Sequence, residues 1–187
     1  MMTNENLSLG VLEYRSVAAG MKAADEVLKT AQVDLMFAKP MCPGKYVIAI
    51  KGSLSAVTAA MEKGTSEDNE AFLVDDCILG NPDPQIYEGL YCSHDVKGVD
   101  AIGILESYSV ASIFEVADDV VKTTPVSILE IRIAKGLSGK AYVVFSGELS
   151  SVEASLEKAK KSIIEKGLLL QTAVIPRPDP RLWEELI

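Results

Sequence analysis

The sequence predicts an α+β protein built from two similar units in tandem. The first observation is an internal repeat: Leu-Gly-Val-Leu-Glu at residues 9–13 returns as Ile-Gly-Ile-Leu-Glu at residues 102–106, at an offset of 93 residues. The second is the apolar pattern within each half, which predicts the order strand–helix–strand–strand–helix–strand. Such an order gives an antiparallel or mixed sheet with its helices on one face, a ferredoxin-like layer.

The repeat extends over nearly the whole chain, with small shifts in its offset. Gly-Ser-Leu-Ser at residues 52–55 matches Gly-Glu-Leu-Ser at an offset of 95, and Asn-Pro-Asp-Pro at residues 81–84 matches Arg-Pro-Asp-Pro at an offset of 96. A duplication of this kind makes two units that can pack side by side. We therefore expect a first domain at residues 1–92 and a second at residues 98–187, joined by a short linker that contains His94.

In the first half, each element has its own local signal. Residues 7–14 are typical of a buried strand, and Ser16 occupies the N-cap position of a helix whose apolar residues recur every three or four positions. Two prolines and a glycine within residues 40–44 predict a tight loop, because they do not fit inside a strand ladder. The remaining predicted elements are strands at 33–38, 46–50 and 71–79, a helix capped by Ser53, and a short helix at 82–90.

The second half repeats this order. Its predicted strands are residues 101–105, 126–134, 141–145 and 168–175, and its predicted helices are residues 110–122, 152–166 and 179–186. The loop between its two middle strands, residues 135–140, is rich in glycine and contains no cysteine, unlike its counterpart in the first half. This loop is therefore the position at which the two copies differ most.

Composition disfavours several classes of function. The net charge of −9 would be repelled by nucleic acid and by anionic membranes, and aromatic residues, at 6%, offer no platform for stacking bases. No apolar stretch is long enough to span a bilayer, and the first residues lack the pattern of a secretory signal. We expect no nucleic-acid partner and no membrane partner.

The cysteines indicate a reducing compartment. Cys42, Cys77 and Cys92 are odd in number and form no C-x-x-C pair, which favours a cytosolic setting without a disulfide framework. Cys77 lies in a predicted strand, where a free cysteine is usually a small buried hydrophobe. Cys92 and His94 are two potential ligands, too few for a specific zinc site. With a single histidine the chain has little material for a catalytic set, and we expect no enzyme.

Five motifs resemble those of the bacterial microcompartment shell domain. They are the strand at 102–106, the Ala117-Asp118 pair with Lys122, the loop Ser138-Gly139-Lys140, the run Val174-Ile175-Pro176-Arg177-Pro178, and the loop Lys39-Pro40-Met41-Cys42-Pro43-Gly44-Lys45. The resemblance covers each half once, in the non-permuted strand order. The cysteine loop is similar to the pore loop of iron–sulfur shell proteins from propanediol-utilisation compartments. The first half departs from the pattern because Asn81 stands where the second half has Arg177.

The resemblance implies a structural protein of the shell, within the bacterial cytoplasm. Tandem-domain members form homotrimers that mimic hexamers, so we expect a pseudohexameric tile that meets other microcompartment shell proteins. Lys29, Lys122 and Arg177 would lie at the tile edge. The two hairpin loops would alternate around a central pore, which they would line with Pro40, Met41, Pro43, Gly44, Gly136, Leu137, Ser138 and Gly139.

The resemblance also implies a metal-ligating role for Cys42. One thiolate cannot hold a 4Fe–4S cluster, which commonly takes four. Three copies of a loop near a threefold axis would bring three Cys42 thiolates to one point and leave one iron for another ligand. A cluster shared in this way would serve electron transfer across the shell, with a redox partner inside the compartment or in the cytosol. Lys39 and Lys45 would add positive charge if they pointed inward.

Three alternatives remain open from the sequence. The first is a shell tile whose pore passes a small molecule and holds no metal, with Cys42 lining the pore. The second is an enzyme with Cys42 as nucleophile, which would need a base close to the thiol. The third is a binding protein of the small ferredoxin-like signalling type, a trimer that binds a nucleotide or a metabolite between subunits.

Overall fold

The structure is a computed structural model that describes residues 7–90, 100–133 and 136–184. The chain divides into two compact units, Met1–Pro82 and Asp83–Ile187. Each unit contains one four-stranded antiparallel sheet. Among the described residues, no helix has both the length and the apolar character required to cross a membrane.

The first unit has the predicted order of elements, with one short helix added. Its elements are β1 (Ser8–Tyr14), α1 (Val17–Thr30), β2 (Asp34–Met41), β3 (Lys45–Gly52), α2 (Leu54–Gly64), α3 (Glu67–Glu70) and β4 (Leu73–Leu79). The sheet order is β2-β3-β1-β4, so that β1 is central and β2 and β4 are edges. Every residue of β1 is buried. The additional helix, α3, is a single turn that the apolar pattern did not predict.

Local signals explain where the helices of the first unit begin. The Ser16 hydroxyl accepts a hydrogen bond from the Ala19 N–H at 3.3 Å, and the Ser53 hydroxyl accepts one from the Ala56 N–H at 3.3 Å. Each bond satisfies one of the backbone donors that the first turn of a helix leaves without a partner. Both helices then bury an apolar face against the sheet, and Val27 is fully buried in this core.

The second unit repeats the sheet. Its elements are α4 (Pro84–Leu90), β5 (Ala101–Ser107), α5 (Val110–Thr123), β6 (Ser127–Ile133), β7 (Ala141–Gly147), α6 (Leu149–Glu165), β8 (Leu169–Pro176) and α7 (Pro180–Glu184). The sheet order β6-β7-β5-β8 corresponds strand by strand to that of the first unit. Even the irregularity is shared, since β2 slips register between Leu35 and Phe37 and β6 slips between Ile128 and Glu130. The duplication therefore extends to the backbone.

The helix α4 belongs to the second compact unit, although the sequence pattern placed it in a first domain of residues 1–92. The Asp83 N–H donates to Asp118 Oδ1 at 2.9 Å, and Gln85 Oε1 accepts from the Ile128 N–H at 3.0 Å. Gly89 lies so close to β6 that a Cβ there would be 2.6 Å from Ile128 Cγ2. The boundary between the units accordingly falls after Pro82, because tertiary packing, which the repeat does not encode, decides which sheet α4 covers.

One more expectation changes in the structure. The sequence placed Pro40 in a loop, but β2 continues through Pro40 to Met41, and Pro40 is the register partner of Tyr46. Proline lacks an N–H and is tolerated on an edge strand, where one side of the ladder needs no donor. Cys92 and His94 lie outside the described residues.

Candidate functional site

A three-residue turn presents Cys42 at the end of the β2–β3 hairpin. Met41 and Lys45 are register partners, so only Cys42, Pro43 and Gly44 lie between the strands. The Gly44 N–H donates to the Met41 carbonyl at 2.9 Å and closes the turn. Gly44 has a φ of +99°, a conformation that glycine adopts without strain, and a Cβ placed there would meet no atom within 4 Å. Cys42 is exposed, so its thiol is presented on a short, hydrogen-bonded turn.

An ion pair anchors the base of this turn to the centre of the sheet. Lys45 Nζ lies 2.6 Å from Glu13 Oε1; the Glu13 side chain is 0% exposed and the Lys45 side chain 16%. Glu13 is on the central strand β1, directly beside β3. The Lys45 charge is therefore balanced beneath the turn instead of adding to the positive charge around Cys42.

The second lysine of the hairpin has a different environment. Lys39 is exposed, and its Nζ lies 4.7 Å from the centroid of the Phe37 ring. A cation above an aromatic face is attracted by the ring quadrupole, which holds the side chain along the strand. Lys39 is therefore the lysine of this hairpin that keeps its charge at the surface.

Within one chain, the predicted pore-lining residues of this hairpin fall into two groups. Pro40, Pro43 and Gly44 are exposed with Cys42, whereas Met41 is buried, with 7% of its surface exposed. Met41 is the last residue of β2 and the single buried residue of that strand. The exposed surface of the turn therefore consists of two prolines, a glycine and the thiol.

The thiols and acids that the structure describes do not form a metal site with Cys42 within one chain. Cys77 lies in β4 opposite Val11 and is buried, as predicted for a small hydrophobe. In the part of the chain that the structure describes, no group of three or more His, Cys, Asp or Glu residues is arranged to hold a metal ion. Among the described residues, one chain therefore supplies one thiol at this turn.

The matching loop of the second unit lies between β6 and β7. Gly136, Ser138 and Gly139 have positive φ values of 78°, 52° and 84°, and the Lys140 N–H donates to the Leu137 carbonyl at 3.1 Å. Gly136 and Ser138 are exposed, Leu137 is half-buried and Gly139 is buried. The loop therefore presents a small polar surface, without a thiol, at the topological position that Cys42 occupies in the first unit.

The predicted edge residues occupy matching but unequal positions. Lys29 pairs with Asp25 at 2.6 Å and Lys122 pairs with Asp118 at 2.6 Å, each one helical turn apart. The Lys29 pair is exposed, whereas the Asp118 side chain of the second pair is largely buried. Arg177 is exposed, has a φ of +49°, and donates its backbone N–H to the Asp100 carbonyl at 2.6 Å.

Glu13 is a residue of this site that the sequence pattern does not reveal. Its only signal is the repeat, in which Glu13 and Glu106 end the same motif inside otherwise apolar strands. A carboxylate in such a strand needs a partner when it is buried. The pattern gave no means of identifying Lys45 as that partner.

The family of the chain follows from this architecture. The model of the BMC domain matches residues 8–82 and again residues 101–178. The chain belongs to the BMC domain family and carries the domain twice. The prediction of a tandem-domain microcompartment shell protein with two α+β domains is confirmed.

Individual relatives cover the chain almost from end to end. The bacterial microcompartment shell protein PduT of Citrobacter freundii is 37% identical over 180 residues, covering 96% of this chain and 97% of the relative. A crystal structure of a microcompartment protein from Desulfitobacterium hafniense has a TM-score of 0.82 and 39% identity, covering 95% of this chain and 98% of that chain. The carboxysome assembly protein CcmO of Synechococcus elongatus is 28% identical over 191 residues, covering 96% of this chain and 68% of the relative. The chain is therefore a structural component of a microcompartment shell.

Proposed function

We propose that three copies of this chain form a shell tile in which the three Cys42 thiolates hold one 4Fe–4S cluster on the threefold axis. The tile lies in the shell inside the bacterial cytoplasm, and its task beyond enclosure is to carry electrons across the wall to a redox partner. The single observation that carries the proposal is the exposed thiol of Cys42 on a short, hydrogen-bonded turn of one repeat, at a position where the other repeat has no thiol.

The number of ligands supports a site shared among chains. In residues 7–90, 100–133 and 136–184, one chain offers one exposed cysteine, and a cubane cluster commonly takes four. If the turn lies near a threefold axis, three chains supply three thiolates to one point. Three irons of the cluster would then be bound, and the fourth would take water, a small molecule or a residue of another protein. Such a cluster would allow one-electron transfer through the shell, which a shell protein without a redox group does not provide.

The surrounding residues suit the task of presenting a ligand. Pro40 and Pro43 restrict the backbone on both sides of Cys42, and the Gly44 N–H closes the turn on Met41. The Glu13–Lys45 pair fixes the first residue of β3 against the central strand. Because Gly44 carries no side chain and its surroundings are open, three such turns have room to approach one another around a cluster.

The second candidate function is a pore that passes a small molecule. The exposed Gly136 and Ser138 of the second unit favour it, because small polar residues leave space and offer hydrogen bonds to a solute. In that case Cys42 would line the pore without binding metal. The two candidates differ in whether iron and sulfide accompany the protein.

Anaerobic purification with iron and sulfide analysis distinguishes the two. We expect about four irons for every three chains, and an electron paramagnetic resonance signal on reduction. Cys42→Ser should lose both and still associate, whereas Cys77→Ala, which removes a buried thiol in β4, should keep both. A wild-type protein that stays colourless and binds no iron after reconstitution would overturn the cluster and favour the pore.

A further inference from the structure

The helices α4 and α7 are copies of each other that begin in the same way. Asp83 Oδ1 accepts from the Gln85 N–H at 2.9 Å, and Asp179 Oδ1 accepts from the Arg181 N–H at 3.0 Å. Both segments read Pro-Asp-Pro at this point, 96 residues apart. The local structure of the two helices is therefore equivalent, and differences in their burial reflect what each helix packs against.

Their burial is very different. Ile86 of α4 is 0% exposed, whereas Leu182, its counterpart in α7, is 42% exposed. The described part of α7 has no buried residue at all, although Trp183 packs partly against the cluster of Ile102, Leu129 and Val144. The apolar residue that anchors the first copy of this helix is thus left at the surface in the second copy.

α4 covers a surface of the second unit that is formed by α5 and β6, which we call the α5–β6 seat. α4 packs against β6 and α5, and Phe114 and Ile128 of these elements are fully buried. The Asp118 carboxylate accepts the Asp83 N–H through one oxygen and pairs with Lys122 through the other. The seat therefore combines apolar contacts with one buried carboxylate that fixes the start of the helix.

The first unit contains the corresponding seat, and the described residues leave its apolar side chains exposed. Met21, Asp25 and Leu35 stand at the positions of Phe114, Asp118 and Ile128, each 93 residues earlier. Met21 is 53% exposed and Leu35 is 45% exposed. Asp25 already forms the equivalent pair with its lysine, at 2.6 Å. Since β2 and β6 also share their bulge, the backbone of the two seats corresponds.

We propose that α7 of one chain docks on the α1–β2 seat of a second copy of the chain, as α4 docks on the α5–β6 seat within one chain. Leu182 would pack on Met21 and Leu35, and the Asp179 N–H would donate to Asp25. The proposal rests on the homotrimer of the proposed function and names the contact that joins its chains. The described residues of each chain contain one such exposed helix and one such exposed seat, so the contact is head-to-tail and is fully used when three copies close a ring.

The correspondence has one departure. Gln85 accepts the Ile128 N–H, but its counterpart is Arg181, which cannot accept and is held by Asp179 at 2.9 Å. The docked α7 would therefore lack one hydrogen bond that α4 makes. The apolar anchor and the carboxylate contact are unaffected.

Sedimentation velocity on single variants tests the contact. Leu182→Asp and Met21→Asp should each shift the protein from three chains towards single chains, because a carboxylate would enter the apolar seat. Ile164→Asp, which changes an exposed apolar residue of α6 outside both surfaces, should leave the three-chain species unchanged. Combining Leu182→Asp with Met21→Lys should restore association, because the two introduced charges attract only if these positions meet.

The outcomes separate this proposal from the proposed function. If Leu182→Asp remains a trimer that holds iron, the docking of α7 is wrong and the cluster proposal stands. If the wild-type protein is a trimer without iron and the variants dissociate, the docking is supported and the cluster is wrong. If the wild-type protein sediments as single chains at high concentration, both proposals fail.

Discussion

Replacing Lys45 by methionine tests the role of the ion pair beneath the cysteine turn. Methionine keeps the length and the apolar stem of the side chain but removes the ammonium group. Glu13 would then hold a negative charge at 0% exposure without the lysine that lies 2.6 Å away. We expect the free energy of unfolding of the first unit to fall, and the β2–β3 hairpin to open more often.

The magnitude follows from the burial of the two partners. Removing one partner of a fully buried ion pair costs about 3–5 kcal/mol, because the other charge is left uncompensated. The Lys45 side chain is 16% exposed, so water already reaches part of the pair and the lower end applies. We expect a loss of about 3 kcal/mol for Lys45→Met. Adding Glu13→Gln removes the buried negative charge and should recover most of that loss.

Hydrogen exchange measured by mass spectrometry is the appropriate assay, because it reports the two compact units separately. Amides of β1 and β3 should exchange faster in Lys45→Met, while those of the second unit keep their rates. Lys39→Met is the matched control, since Lys39 is an exposed lysine on the same hairpin and its loss should change stability by less than about 0.5 kcal/mol. Equal exchange in the Lys45 and Lys39 variants would refute the anchoring role of the pair.

Two further predictions concern packing and pH. In Gly103→Ala the new Cβ would lie 2.4 Å from the Phe145 ring, so overpacking should cost about 1–3 kcal/mol in urea unfolding. In Gly80→Ala the nearest atom, Leu54 Cδ1, would be at an ordinary contact distance of 3.7 Å, so this variant should cost little, and equal costs would contradict the close contact at Gly103. The pKa of Glu26 is held below its usual value, chiefly by the hydrogen bond from Asn69 and also by nearby lysines. A carboxylate whose pKa is lowered in the folded protein stabilises the fold at pH values above its ordinary pKa, and this contribution is lost as the pH falls. The difference in melting temperature between wild type and Glu26→Gln should therefore narrow from pH 6 to pH 3. A constant difference would contradict this.

Much of the fold was predictable because its signals are local. Ser16 and Ser53 are good N-caps, and the structure shows both side chains accepting the hydrogen bonds that such residues accept. The apolar run at 9–13 and its copy at 102–106 predicted the two central strands, since strands flanked on both sides are continuously apolar. An internal repeat then made each half a check on the other.

The rest depended on contacts between residues distant in sequence. Nothing local to α4 reveals that Asp83 bonds Asp118 and that the helix covers β6, so the packing of α4 in the second unit is not predictable from the sequence. In the sequence, Glu13 looks like the end of a strand motif and nothing more. Its partner, Lys45, lies in another strand, so the local pattern does not show the ion pair. Met41 was counted with the exposed loop because the extent of β2 past Pro40 was not visible in the pattern.

Native mass spectrometry of anaerobically purified protein tests the central claim most directly, because it counts chains and bound iron in the same particle. The account predicts three chains plus the mass of one four-iron, four-sulfide cluster, and three chains without that mass for Cys42→Ser. Single chains, or wild-type trimers that carry no iron and sulfide under conditions that preserve clusters, would contradict it.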